Sequence, residues 1–134
     1  MSTIQDCNLL NIPKIEDPRG NLSVIENNVI PFEIKRVYYL YDVPSGAERG
    51  GHSHIEQQEF LVALSGSFDV ILNDGKQEKK VSLNKPFEGL LITNRIWREL
   101  KNFSSGAVCL VIASDVFSEE DYIREFQDFL ESKL

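Results

Sequence analysis

Along most of this 134-residue chain apolar and polar residues alternate in short runs, and turn-forming residues cut those runs at regular intervals. A period of two puts one face of a strand into a core and the other into solvent, so the pattern calls for a sandwich or barrel of short strands. DPRGN (17–21) is a turn ahead of the strand LSVIE. VIPFE is a second break, before IKRVYYLYDV, which is dense in the β-branched and aromatic residues that suit a pleated surface. PSGAERGG reads as a loop. EFLVALSGSFDVILNDG gives two strands about Gly66 and ends in a hairpin turn at Asn73-Asp74-Gly75. KKVSL, GLLIT, RIWREL and the apolar AVCLVIAS supply the remaining strands.

The pattern changes at Ser118. In SEEDYIREFQDFLESKL, Tyr122, Ile123, Phe126, Phe129 and Leu130 recur at helical spacing, acidic residues fill the first turn and Ser118 is a candidate N-cap. The spacing predicts a short C-terminal amphipathic helix over about 118–132, after a barrel over about 8–116. One all-β domain over 1–134 is the expectation, and its length suffices to bury a core. The run Glu119-Glu120-Asp121 reads as charge placed at a helix N-terminus, where the macrodipole favours it.

A net charge of −7 argues against general nucleic-acid binding, although it leaves room for a local basic pocket. Cys7 and Cys109 lie far apart and imply no disulfide framework, and Cys109 sits in an apolar run as a buried small hydrophobe would. The N-terminal residues lack the basic and apolar stretches of a signal peptide, and no run is long enough to span a bilayer. A cytoplasmic protein without a membrane partner is expected.

The chemistry concentrates between Gly46 and Gly66, in GAERGGHSHIEQQEFLVALSG. His52 and His54, the only histidines, share one face of an extended strand, and the following strand can return Glu59 to the same cavity. Two imidazoles and a carboxylate can hold iron, manganese or zinc. They can equally move protons, since imidazole titrates near neutral pH.

The spacing His52-x-His54-x4-Glu59-x6-Gly66, with Gly46 six residues before His52, resembles the first signature of the cupin (jelly-roll) β-barrels. Their second signature supplies a further histidine, and this chain has Ile92 near that place and no histidine after position 54. A narrower resemblance rests on DPRGNLSVIE (17–26), PFEIKRVYYLYDVP (31–44), RGGHSH (49–54), LSGSFDVILNDG (64–75), GLLI and IWREL within 89–100, FSSGAVCLVIAS (103–114) and EEDYIREF (119–126). Together these pieces are similar to the sugar 3,4-ketoisomerases, a cupin family acting on thymidine-diphosphate (dTDP)-linked 4-keto-6-deoxyhexoses. The resemblance implies a homodimer that exchanges N-terminal strands and a metal-free, cofactor-free site inside the barrel. It implies transfer of the keto group from C4 to C3 through an enediolate, on a route to 3-amino-3,6-dideoxy sugars of surface polysaccharide. Two positions depart from the family habit, Ile55 for lysine and Glu59 for glutamine, and Glu59 restores the metal-binding cupin pattern.

By the same resemblance His52 and His54 are catalytic: His52 as the base toward carbon and His54 as polariser or oxygen shuttle, with the reverse order open. Tyr38 and Tyr39 face opposite ways, and Tyr38 is expected inside the barrel because Arg36 shares its face. Arg19, Arg36, Arg49 and Arg98 fall in matched segments and suit a diphosphate, Arg49 best of all since it lies three residues before His52. Glu59 and Trp97 complete the expected substrate-binding set, Trp97 as a wall to the sugar or base. Positions 19 and 98 bear on the stereochemistry at C4 within the family, and arginine at both matches one product type at each. Two other readings stand beside this one: a metal-dependent, dioxygenase-like cupin using His52, His54 and Glu59, and a non-catalytic sugar-binding cupin.

Overall fold

A computed structural model of the chain describes residues 2–26 and 28–134. Twelve strands follow in chain order: β1 Leu9–Asn11, β2 Lys14–Ile15, β3 Leu22–Ser23, β4 Arg36–Leu40, β5 Arg49–His54 and β6 Glu59–Ser65. Then come β7 Phe68–Asn73, β8 Glu78–Leu83, β9 Glu88–Ile92, β10 Trp97–Lys101, β11 Val108–Ala113 and β12 Tyr122–Ile123, before the helix α1 Phe126–Ser132. Two five-stranded antiparallel sheets, ordered β1-β9-β6-β11-β4 and β12-β5-β10-β7-β8, face one another as a jelly-roll barrel. The β2–β3 hairpin stands apart.

Turn chemistry sets the registers. Between β7 and β8 the Asp74 carboxylate accepts from the Lys76 and Gln77 amides (2.9 and 2.8 Å), and Asn73 Oδ1 accepts from Gly75 N–H at 2.7 Å. Between β6 and β7, Gly66 adopts φ +67°, and a Cβ there would lie 2.4 Å from Ser104 Oγ and 2.9 Å from Ala107 Cα, so only glycine fits.

The interior of the barrel is one apolar cluster that includes Leu61, Ala63, Phe68, Val70, Leu72, Leu83, Leu100 and Phe103. A second cluster lies on the outer face of the first sheet, where Phe60, Val62, Leu91 and Ile112 meet Ile12, Ile30 and neighbouring N-terminal residues. Strand β6 feeds both clusters by alternation. Cys7 and Cys109 are buried free thiols, and burial together with the nearby Glu59 charge pushes Cys109 up to about 12. Among the described residues no helix is long and apolar enough to cross a membrane.

Several boundaries differ from the sequence reading. The expected strands at LSVIE and IKRVYYLYDV are trimmed to Leu22–Ser23 and Arg36–Leu40, and β5 already begins at Arg49 inside the expected loop. The C-terminal helix is present but spans Phe126–Ser132 rather than 118–132. Its expected first half is a 3-10 turn, Glu119–Asp121, followed by β12, because Tyr122 and Ile123 pair with His54 and Ser53 of β5. Ser118 precedes the 3-10 turn and makes no side-chain cap.

Candidate active site

Four walls deliver the functional groups to one end of the barrel. Strand β4 turns Arg36 and Tyr38 inward, β6 turns Glu59 inward and β10 contributes Arg98. Strand β5 brings His52 through a local irregularity: Arg98 pairs with His52 but Leu100 with Arg49, so β5 bulges about Gly50, whose φ is +78°. Bulges often redirect side chains beside active sites. The resulting cavity of about 370 Å³ is lined by these groups, by Arg49, Tyr122 and Arg124, and by aliphatic residues at its floor.

His52 faces the cavity and His54 stands behind it, fully buried. Their Nε2 atoms are 3.1 Å apart and the rings meet edge to face at 86°. The Tyr122 ring packs against both, with centroid separations of 5.1 and 4.5 Å. Behind the pair, His54 Nδ1 lies 3.1 Å from the Asp121 carboxylate. Burial is the first force that lowers the histidine pKa values, and the positive charge of Arg98 is the second. His52 is lowered to about 3 and His54 to about 2, so both imidazoles are neutral at pH 7 when the cavity is empty.

Glu59 is an acceptor hub. Arg98 Nη1 donates to Oε1, while Tyr38 Oη (2.7 Å) and Gln57 Nε2 (2.9 Å) donate to Oε2. Both Arg98 and Glu59 are almost wholly buried, so each compensates the other's charge. Burial first, and then the Glu59 charge, push the Tyr38 phenol well above its usual value, which keeps it a hydrogen-bond donor at any working pH.

His52, His54 and Glu59 bring one donor atom each within 4.8 Å of one another, the spacing of a three-ligand metal centre. The surroundings do not fit a resident dication. Both Glu59 oxygens are already taken by hydrogen-bond donors, one of them a guanidinium, and the residue paired with Glu59 across the sheet is the aliphatic Ile92. A cation there would displace a donor and sit against the Arg98 charge.

Of the residues expected from sequence, His52, Tyr38, Arg36, Arg49, Glu59 and Arg98 line the cavity, and His54 touches it through His52. Two are not brought there. Trp97 neighbours Arg98 on a pleated strand and must face the other way: its indole donates to Glu99 (2.8 Å) and packs on Phe126 and Phe129. Arg19 lies in the β2–β3 hairpin, 90% exposed and bonded to Asp17. Asp121, Tyr122, Arg124 and Gln57 are not among the site residues expected from sequence. Their signal was hidden in a stretch whose spacing suits a helix and in the loop before β6.

Comparison with known proteins follows the same lines. Residues 5–134 match the family model described as FdtA: WxcM-like, C-terminal. The chain is 44% identical over 122 residues to the TDP-4-oxo-6-deoxy-alpha-D-glucose-3,4-oxoisomerase of Aneurinibacillus thermoaerophilus, covering 90% of this chain and 88% of that protein. It is similar to the WlaRB TDP-quinovose 3,4-ketoisomerase of Campylobacter jejuni, with 48% identity, a TM-score of 0.91 and 96% and 99% of the two chains covered. It is also similar to QdtA, a sugar 3,4-ketoisomerase of Thermoanaerobacterium thermosaccharolyticum solved in complex with TDP, with 38% identity, a TM-score of 0.95 and coverage of 98% and 96%.

Proposed function

The chain belongs to the family described as FdtA: WxcM-like, C-terminal, and on that premise we propose that it is a 3,4-ketoisomerase of a dTDP-linked 4-keto-6-deoxyhexose. The observation that carries this reading is His52 at the wall of a cavity lined by four of the chain's six arginines, with His54 against it. The reaction is an enolisation. A base removes the hydrogen on C3 as a proton, the electron pair of that bond forms C3=C4, and the C4 carbonyl oxygen becomes an enolate oxygen. A proton passes from the C3 hydroxyl to the C4 oxygen, C4 regains a proton from the base, and the carbonyl now stands at C3. Substrate and product are isomers, so no oxidant or reductant enters.

His52 is the base in this reading because it faces the cavity, and His54 supports it from behind. Tyr38 and Arg98 are donors at the cavity wall for the developing enolate oxygen. Arg36 Nε and Nη2 are buried with no hydrogen-bond partner among the described residues, which suits an anionic ligand, and Arg49 and Arg124 add positive charge for the diphosphate. These cations also explain how weak bases become adequate. Arg98, Arg36 and Arg124 help to lower the histidine pKa values, and a bound diphosphate offsets that charge.

We assign the protein to the cytoplasm, on a route to a 3-amino-3,6-dideoxyhexose of surface polysaccharide, and its two free thiols support a reducing compartment. Its partner is a second copy of itself, with neither nucleic acid nor membrane engaged. The exposed Val37, Tyr39 and Tyr41, and Ile15 and Leu22 on the hairpin, support that dimer, and the same hairpin is what would carry Arg19 toward a partner's cavity. The test of activity is metal-stripped protein with dTDP-4-keto-6-deoxyglucose in deuterated water, followed by NMR. Deuterium at C4 of a 3-keto product is expected. Turnover only after iron or manganese is added would overturn the metal-free reading, and binding without exchange would leave a sugar-binding protein.

A further inference from the structure

Asp121 is the last residue of the acidic run Glu119–Asp121, and the isomerase chemistry above gives it no part. Its carboxylate reaches across the molecule to β5 and the loop that follows. Oδ1 accepts from the Glu56 amide at 2.8 Å, Oδ2 from the Gln57 amide at 3.2 Å, and Oδ2 lies 3.1 Å from His54 Nδ1. The backbone is clipped at the same point, since the Ile55 amide donates to the Asp121 carbonyl at 2.9 Å.

We propose that Asp121 is a positioning residue for the histidine pair, holding His54 in the tautomer protonated at Nδ1 so that His54 Nε2 accepts a hydrogen bond from His52. A carboxylate can only accept, so the proton on that side belongs to His54 Nδ1. His54 is neutral, because burial and the facing charges of Arg98, Arg36 and Arg124 disfavour the charged ring. A neutral imidazole has one N–H, which leaves a lone pair on Nε2. The atom facing that lone pair at 3.1 Å is His52 Nε2, which must therefore be the donor. The Gln57 amide nitrogen, 3.5 Å from His54 Nε2 at the outer limit of a hydrogen bond, also points a donor at it.

One tautomer then propagates through two rings. With Nε2 of His52 carrying its proton, the lone pair of the working imidazole is on Nδ1. When His52 takes a proton from carbon it becomes an imidazolium, and its bond to His54 becomes charge-assisted without either ring turning. The Tyr122 ring, packed on both imidazoles, restrains the rotation that would otherwise let them exchange roles. The inference rests on the isomerase reading for its consequence, but its central claim concerns the resting protein.

The test separates the two. Nitrogen-15 spectra of histidine-labelled protein, with no substrate present, are expected to show His54 protonated at Nδ1 and bare at Nε2. In Asp121→Asn the amide nitrogen facing the ring becomes a donor, and the His54 tautomer is expected to invert. In that variant kcat is expected to fall about 10²- to 10⁴-fold, as when a triad carboxylate is replaced by its amide, with KM changing less than about threefold. Wild-type His54 protonated at Nε2 would overturn the proposal, as would an Asp121→Asn enzyme with unchanged kcat. If the variant fails to fold, the wild-type spectrum alone decides. A protein that shows the expected tautomer but no C4 deuteration would sink the isomerase reading and leave the assignment of Asp121 standing.

Discussion

The two ends of the barrel interior are built on the same strands with opposite chemistry. At the open end β6 presents Glu59, β10 presents Arg98 and β4 presents Arg36 and Tyr38; one or two inward positions further along come Leu61 and Ala63, Leu100, and Leu40. A two-residue step along a strand is about 6.6 Å, so one layer of side chains separates buried charge from apolar core. The difference teaches where stability and reactivity can be separated. The closed end is apolar and, among the described residues, carries no charge to compensate. The open end is nearly as buried, but each charge in it is matched or left facing the cavity, as Glu59 is matched by Arg98 and Arg36 Nε and Nη2 have no hydrogen-bond partner among the described residues.

Substitutions at the two ends should therefore fail in different ways. On the proposed assignment His52→Asn removes the base and leaves the packing, so kcat should fall by about 10²- to 10⁴-fold with the melting temperature nearly unchanged. A comparable loss of melting temperature would mean that the open end also holds the fold. Arg98→Met leaves Glu59 buried without its counter-charge and should cost about 3–5 kcal/mol in urea unfolding, and adding Glu59→Gln should recover most of it. Failure of the second change to rescue would show that Arg98 acts through packing alone. Phe68→Ala, at the closed end against Phe103, should cost about 3–5 kcal/mol while kcat/KM of the folded protein stays as it was.

The smallest effect is the most specific to the open end. Both histidines have pKa values below their ordinary 6.5 in the folded protein, so below pH 6.5 the unfolded chain binds protons that the native pair refuses. Their contribution to stability is thus complete above pH 6.5 and is lost progressively on acidification toward the native values of about 3 and about 2. His52→Asn should flatten that part of a stability–pH curve, and an unchanged slope would place the acid sensitivity elsewhere. In kinetics the base must be unprotonated, so the acid limb of kcat/KM should lie below pH 6.5. With substrate bound near the arginines, the limb of kcat should move to higher pH.

The sequence made the barrel legible because period-two alternation and the turn at Asn73-Asp74-Gly75 are local signals that tertiary packing did not overrule. It also made the inward side of β4 and β5 legible, since pleating follows residue parity. Parity is what should have separated Trp97 from Arg98, which cannot both face the cavity. Asp121, Tyr122 and Arg124 were illegible for another reason. Tyr122, Ile123 and Phe126 fit a helical stripe, a two-residue strand is too short to carry its own period, and the partners of that strand lie on β5.

Asp121 grips backbone amides 64 and 65 positions earlier in the chain, and this long reach orders the assembly of the molecule. The central strands can pair while residues 119–124 are still free, and closing so wide a loop is worthwhile only once β5 offers its edge. Regain of β-structure on refolding should therefore run ahead of regain of turnover, so the protein becomes a barrel before it becomes a catalyst.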